Sequence, residues 1–231
     1  MNDALLKVLS WVDTATVCSA IEIAQGRRGF DNFTKSPPLA VGKDALPLVG
    51  FARTAKVAGA SPPDEPIQTT KERRLDYYRY VNVSKEPSVM VIEDTDGTNC
   101  VGAFWGQLNA TIHKKLGVSG VLTNGLVRDL DDLPEAFPVL AGSVGPSHGF
   151  IHVREFGSPV NVFGLNVQEH DFIHADQHGA VVIPPDVLPN IQNAIVELVQ
   201  IESTILKPLD KDDFQFSDFE AAWKAFENRR V

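Results

Sequence analysis

Apolar residues fall into blocks of two different periods along the chain. Between residues 3 and 25, Leu5, Leu6, Leu9 and Val12, then Val17, Ala20, Ile21 and Ala24, recur at helical spacing around Asp13 and Thr14 as a cap, which predicts two helices ending at Gly26. Pro37, Pro38, Gly42, Pro47 and Gly50 punctuate a loop region before LVGFARTAKVAG (residues 48 to 59), which alternates as a strand does. Residues 60 to 69 look like an exposed loop, and KERRLDYYRYVNVS, from Lys71, is left open between helix throughout and helix turning to extended chain. VMVIED (89 to 94) is a β-branched run followed by the turn signal Asp94-Thr95-Asp96-Gly97.

From Gly102 the period changes. Leu108, Ile112 and Leu116 stand four apart and Gly117 follows them, so a helix is expected to open near Gly106 and close at that glycine. GVLTN comes next, giving strand, helix and strand in a crossover unit. FPVLAGSVG, SPVNVFGLNVQ, DFIHAD and GAVVIPPD are four short runs separated by Gly, Pro and Asp that resemble strands. Ile191, Ala194, Ile195, Leu198, Ile201 and Ile205 form a helical stripe that is expected to stop before Pro208. The last segment carries a capping-box pattern at Ser217 and Glu220, ahead of a short helix with Phe219, Trp223 and Phe226 on one side.

These elements predict an α/β chain with a strand-rich centre flanked by N- and C-terminal helices. At 231 residues, 43% hydrophobic and 22% charged, one core is the simplest expectation. The amphipathic start lacks the regions of a secretory signal and no apolar run is long enough for a bilayer, so a cytoplasmic protein with no membrane partner is expected. Cys18 and Cys100 lie far apart and read as buried thiols. The net charge of −9, with basic residues scattered apart from Lys71 to Arg79, gives nucleic acid no electrostatic footing as a partner. An acidic protein that handles an anion needs local positive charge from an arginine, a metal or a helix N-terminus.

That requirement selects Arg128 and Asp129, which follow the GVLTN strand through a Thr-Asn-Gly turn. Strand ends hold side chains over a crevice; an arginine grips carboxylates through two hydrogen bonds, and an aspartate can hold a divalent metal. The same pair serves equally well as a surface salt bridge or a turn aspartate. Asp131 and Asp132 read as helix-start acids. Gly106 opens a helix whose free N–H groups, through Asn109, can point at an anion. The histidines at four-residue intervals, His148 and His152, then His170, His174 and His178, sit in segments that read as strands, where four residues span roughly 13 Å, too far for one ion. The serine-hydrolase, P-loop and dinucleotide-binding glycine motifs are absent from the sequence.

GAFWGQLNATIHKKLGVSGVLTNGLVRDLDDL resembles the central signature of the RraA-like family, which includes the 4-hydroxy-4-methyl-2-oxoglutarate aldolases. LPLVGFARTAKV and HADQHGAVVIPPDVL resemble its flanking segments. The resemblance covers roughly residues 13 to 206; it implies a single domain over 1–206 with 207–231 as an extension, and a swivelling β/β/α type of fold. It further implies a class II pyruvate aldolase, often with oxaloacetate decarboxylase activity, that uses Mg²⁺ or Mn²⁺ and assembles as a homotrimer or a dimer of trimers. By match to the motif, Asp129 would hold the metal, Arg128 the 2-keto acid substrate, and Gly106, Gln107, Leu108 and Asn109 would receive its carboxylate. The sequence departs from the aldolase pattern in carrying Gln107 where those members tend to have an acid, and Ser19-Ala20-Ile21 where they have D-A-L. In the aldolases an acid from the adjacent subunit orders water at the metal; Glu202, on the C-terminal helix, is the candidate for that role here. Other members bind and inhibit a ribonuclease without catalysis and tend to lack the aspartate after the arginine, so Asp129 favours the enzyme.

Overall fold

The computed structural model describes residues 3–42, 47–82 and 86–227. By packing, these form two compact units, one of residues 1–14 and 32–183 and one of residues 15–31 and 184–231. Helix α1 (Asp3–Trp11) leads into α2 (Thr14–Gln25), as the two apolar stripes predict.

The first unit is organised around β2 (Leu48–Ala58), β3 (Ser88–Asp94) and β5 (Val118–Thr123), which run parallel. β7 (Val139–Ala141) continues the parallel order beyond β5, and β1 (Leu39–Val41) closes that edge antiparallel to it. β2 is long enough to take two partners on its other side. β12 (Phe172–Asp176) pairs antiparallel with its first half and β9 (His152–Phe156) with its last residues. β13 (Gly179–Ile183) forms a hairpin with β12, making an eight-stranded sheet among the described residues. A small parallel sheet of β4 (Ala103–Trp105), β6 (Leu126–Val127) and β8 (Ser143–Val144) and a hairpin of β10 (Val160–Val162) and β11 (Leu165–Val167) complete the strands.

The period-2 side-chain alternation of β3 divides the core. Met90 and Ile92 face a cluster with Tyr77, Trp105, Ala110 and Phe137, whereas Val89 and Val91 face one with Leu48, Leu122 and the valines of the β10–β11 hairpin. A parallel sheet covered on both faces needs apolar residues on both. For that reason β2 is buried nearly throughout instead of alternating between core and solvent.

Several expectations need correction. The stretch left open between helix and extended chain is helical: α3 (Ile67–Val81) begins inside the predicted loop and runs through Val81, because Tyr77 and Val81, four apart, anchor it in the core. Val83 and Ser84 lie outside the described residues. The helix α4 (Gln107–Lys115) forms where expected, but it buries Ala110 and His113 while Leu108 is 73% exposed. The segment before Gly106, given no element of its own by the periodicity, is the short strand β4. In the second unit, α5 (Ile191–Leu209) runs on through Pro208, which stands one residue from its end, where a missing N–H perturbs only the last turn. α6 (Phe216–Glu227) starts before Ser217, so that serine lies inside the helix and is not its cap. Phe216, Phe219, Trp223 and Phe226 do share one side, their successive rings 5.5–5.8 Å apart. The two cysteines are partly buried. No helix among the described residues is long and apolar enough to cross a membrane.

Two buried histidines tie elements of the first unit together. His174 on β12 bonds the Leu9 carbonyl through Nε2 (2.9 Å) and the Thr14 hydroxyl through Nδ1 (3.0 Å), while Asp176 accepts the Thr14 N–H (2.9 Å). His113 bonds Tyr77 Oη (2.6 Å) and the Asn109 carbonyl (2.7 Å) inside a box formed by Tyr77, Tyr78, Phe104 and Trp105. Burial pushes both imidazoles down, that of His113 to about 4. A third network joins Arg53, Glu169 and Tyr80. Arg53 Nε lies 3.2 Å from Glu169 Oε1, its guanidinium stacks over the Tyr80 ring at 3.9 Å, and the Tyr80 hydroxyl donates to Glu169.

Two predictions follow from these networks. Since the His113 pKa is lower folded than its ordinary 6.5, its contribution is complete above pH 6.5 and lost as pH falls towards 4. Urea unfolding of the wild type is expected to lose about 2 kcal/mol from this group between pH 7 and 5; His113→Phe should flatten that slope, and an unchanged slope would refute the assignment. Glu169→Gln leaves the Arg53 guanidinium, 7% exposed, without its anion and should cost about 3 kcal/mol, read as a lower denaturation midpoint with the m-value unchanged.

Candidate functional site

The site is assembled where two short parallel strands end side by side. β4 pairs with β6, with Trp105 opposite Val127, and the Arg128 N–H extends the ladder by donating to the Trp105 carbonyl (3.0 Å). Gly106 and Arg128-Asp129 therefore leave adjacent strands at the same level. Gly106 begins α4, whereas Asp129 turns back in the left-handed region (φ +55°) and accepts the Asp132 N–H (3.0 Å) on its carbonyl to close a 3₁₀ turn over Leu130–Asp132. Aspartate is among the few non-glycine residues that adopt this conformation readily.

This turn aims the Asp129 carboxylate at the start of α4. Its Oδ2 accepts the Gln107 N–H (3.1 Å) and lies 3.5 Å from Arg128 Nε. A Cβ at position 106 would lie 2.5 Å from Asp129 Oδ2 and 3.0 Å from Arg128 Cγ. A side chain at this position would push the Asp129 carboxylate off the Gln107 amide. Gly106 also offers no side chain to cap the helix, so the Leu108 and Asn109 N–H groups, which lack intrahelical acceptors, keep the positive end of α4 open beside Arg128. The Arg128 and Asp129 side chains are 37% and 36% exposed, so the cluster meets solvent.

The turn that delivers Arg128 is held from behind. Asn124 accepts the Asp94 N–H (2.7 Å) and donates to the Asp94 carbonyl (3.0 Å), joining the ends of β3 and β5. The Asp94 carboxylate accepts the Asp96 N–H (3.0 Å) and the Cys100 thiol (2.8 Å). Burial raises the Asp94 carboxyl above its ordinary range and, with this carboxylate beside it, pushes the Cys100 thiol up to about 12, so Cys100 stays a donor.

The structure thus brings Gly106, Gln107, Leu108, Asn109, Arg128 and Asp129 together. Glu202 belongs to the second unit, exposed on α5 in a recess it shares with Ser19, Glu22 and Phe226. Asn109 contributes main chain only: its side chain points inward, donating to the Phe104 carbonyl and accepting from Arg74 Nη2 (2.8 Å) and Tyr78 Oη (2.9 Å). Sequence reasoning passed over Arg74, Tyr78 and His113. The available signals were a histidine on the inward face of a predicted helix and an arginine–tyrosine pair at i, i+4. Among the described residues no three His, Cys, Asp or Glu side chains gather as a metal cage. Asp129 is a single carboxylate with Oδ2 taken by a main-chain N–H, a donor set that fits a hard cation keeping most of its waters.

An uncharacterised protein of Methanocaldococcus jannaschii is 34% identical over 117 residues, 48% of this chain and 56% of that protein. Protein DlpA of Legionella pneumophila is 26% identical over 129 residues, 54% of this chain and 21% of its own length. The chain thus spans about half of one curated relative and a fifth of the other. Among solved structures, an uncharacterised protein from Pseudomonas syringae superposes with a TM-score of 0.71 at 18% identity, over 97% of this chain and 94% of that one. RraAS2 of Streptomyces coelicolor, an unusual member of the RNase ES inhibitor RraA family, gives 0.64 at 21% identity, over 91% and 98%. Both likenesses are of fold. The RraA-like family model, described as Aldolase/RraA, matches residues 14–182, the span containing every element of the Gly106–Asp129 site, and the chain belongs to that family.

Proposed function

We propose that the protein is a divalent-metal-dependent carbon–carbon lyase acting on a 2-keto dicarboxylic acid such as oxaloacetate or 4-hydroxy-4-methyl-2-oxoglutarate. The observation that carries this reading is the contact of Asp129 with the Gly106–Gln107 turn, which places a carboxylate, a guanidinium and a helix N-terminus around one solvent-facing point. Asp129 would hold Mg²⁺ or Mn²⁺. When bound, such an ion supplies Lewis-acid polarisation of the substrate's 2-keto oxygen. Arg128 binds and orients the keto acid through its guanidinium, and the Leu108 and Asn109 amides receive the carboxylate next to the keto carbon.

Gln107 has no acid–base capacity, so proton transfer falls to water or to a carboxylate outside this turn. Glu202 from a neighbouring copy in a homotrimer or hexamer is the residue we propose for it, with Glu202→Gln as its test. The second reading, a protein-binding regulator without catalysis, draws on the same Gln107 and on the aromatic face of α6.

The experiment is pyruvate release from both acids with added Mg²⁺ or Mn²⁺. Turnover is expected, with EDTA and Asp129→Ala each abolishing it. Gly106→Ala, which forces Asp129 away from α4, should lower kcat/KM roughly 100-fold while the protein stays folded by circular dichroism. No turnover of either acid at saturating metal would remove the lyase reading and favour the regulator.

A further inference from the structure

A helix that begins at glycine has no capping side chain, yet the α4 amide cradle must hold its orientation against Asp129. The polar groups that could supply this lie behind the cradle, on α3. Arg74 donates to Tyr78 Oη through Nε (3.0 Å) and Nη2 (2.9 Å), and Nη2 also donates to Asn109 Oδ1 (2.8 Å). The Tyr78 hydroxyl donates to the same Oδ1 (2.9 Å). The Arg74 guanidinium lies over the Phe104 ring at 4.5 Å. Asn109 Nδ2 then donates to the Phe104 carbonyl, and His113 holds the Asn109 carbonyl one turn on.

Asn109 is the third residue of α4 and Phe104 stands in β4, so this amide bridges the two elements on either side of Gly106. In a capping box the third helical residue reaches back to the cap. Here it reaches past the glycine to the strand, so that the Gln107 amide is taken by Asp129 and those of Leu108 and Asn109 have no intrahelical acceptor. The Asn109 amide has its orientation fixed because its oxygen faces two donors and its nitrogen one acceptor.

We propose that Arg74 and Tyr78 are positioning residues: acting through Asn109, they lock the β4–Gly106–α4 turn and so set where the α4 amides meet the substrate's carboxylate. This rests on the lyase reading for its effect on catalysis, but not for its effect on the turn. Both residues reach the turn through the Asn109 side chain, so their loss is expected in substrate binding more than in the chemical step.

The test uses the full-length protein and three variants, Arg74→Met, Tyr78→Phe and Arg74→Lys. Amide hydrogen exchange is followed at Ala110, whose N–H bonds the Gly106 carbonyl, and at Arg128, whose N–H bonds the Trp105 carbonyl. Arg74→Met should exchange roughly tenfold faster at both, with β3 amides unchanged, and should raise the KM for oxaloacetate by roughly tenfold with a smaller change in kcat, a loss on the scale of one charge-assisted hydrogen bond. Tyr78→Phe removes only a hydroxyl, guards against misfolding of the first variant and should act in the same direction. Arg74→Lys, which keeps the charge but not the fork, should recover part of both effects. Faster exchange spread over the whole first unit, or KM and local exchange both unchanged in Arg74→Met and Tyr78→Phe, would overturn the proposal. If the wild type turns over no keto acid, the lyase reading fails alone, and the exchange at Ala110 and Arg128 still decides whether the clamp exists.

Discussion

The close approach of Gly106 to Asp129 constrains the rest of the site. With no Cβ at position 106, the Asp129 carboxylate can accept the first amide of α4 while Arg128 stays within ion-pair reach. That geometry needs two strands to end at one level, which β4 and β6 provide in a sheet separate from the main one. It also needs the polypeptide to reverse at Asp129 in the left-handed region, a conformation that would strain most other side chains. The parallel centre of the large sheet serves this arrangement by fixing the ends of β3 and β5, between which Asn124 ties Asp94 to the turn that carries Arg128.

Charge is distributed so that the candidate site and the buried stabilising networks use different groups. At the surface, a guanidinium, a carboxylate and the positive end of a helix share one partly exposed point, where each balances another and a ligand can still compete. Inside, the polar groups are kept neutral or paired. His113 and His174 are held uncharged by burial and bond main-chain carbonyls, Cys100 remains a thiol beside Asp94, and Arg53 has Glu169. Unpartnered buried charge would cost several kcal/mol, so these pairings let polar residues sit at element junctions without loosening them.

The chain combines an arginine–aspartate pair, Arg128 and Asp129, with the glycine that admits it and with an amide side chain at Gln107. The Gln107 side chain is exposed, and only its main-chain N–H takes part in the contact with Asp129. Substitution at that position therefore changes the chemistry available at the rim and leaves the Gly106–Asp129 contact in place. One backbone arrangement can in this way support catalysis or plain binding, according to which side chains surround it.

Sequence by itself determined the elements whose period is sustained: α1 and α2, β3, α4, β5, β12, β13 and α5, the parallel crossover from β3 to β5, and the grouping of Gly106 with Arg128 and Asp129. Long periodic segments report their own buried face, and a glycine at a helix start or a charged pair at a strand end is visible locally. Tertiary structure decided what has no local period. β4, β6 and β8 are two or three residues long and exist because neighbouring strands supply their hydrogen bonds. Leu108 lost the buried face of α4 to Ala110 and His113, since the aromatic box that shelters a neutral histidine is built from α3 and β4 as well. The hold on Asn109 joins residues 31 and 35 positions away in the chain, a distance over which spacing carries no information and only the packing of α3 against α4 brings donor to acceptor.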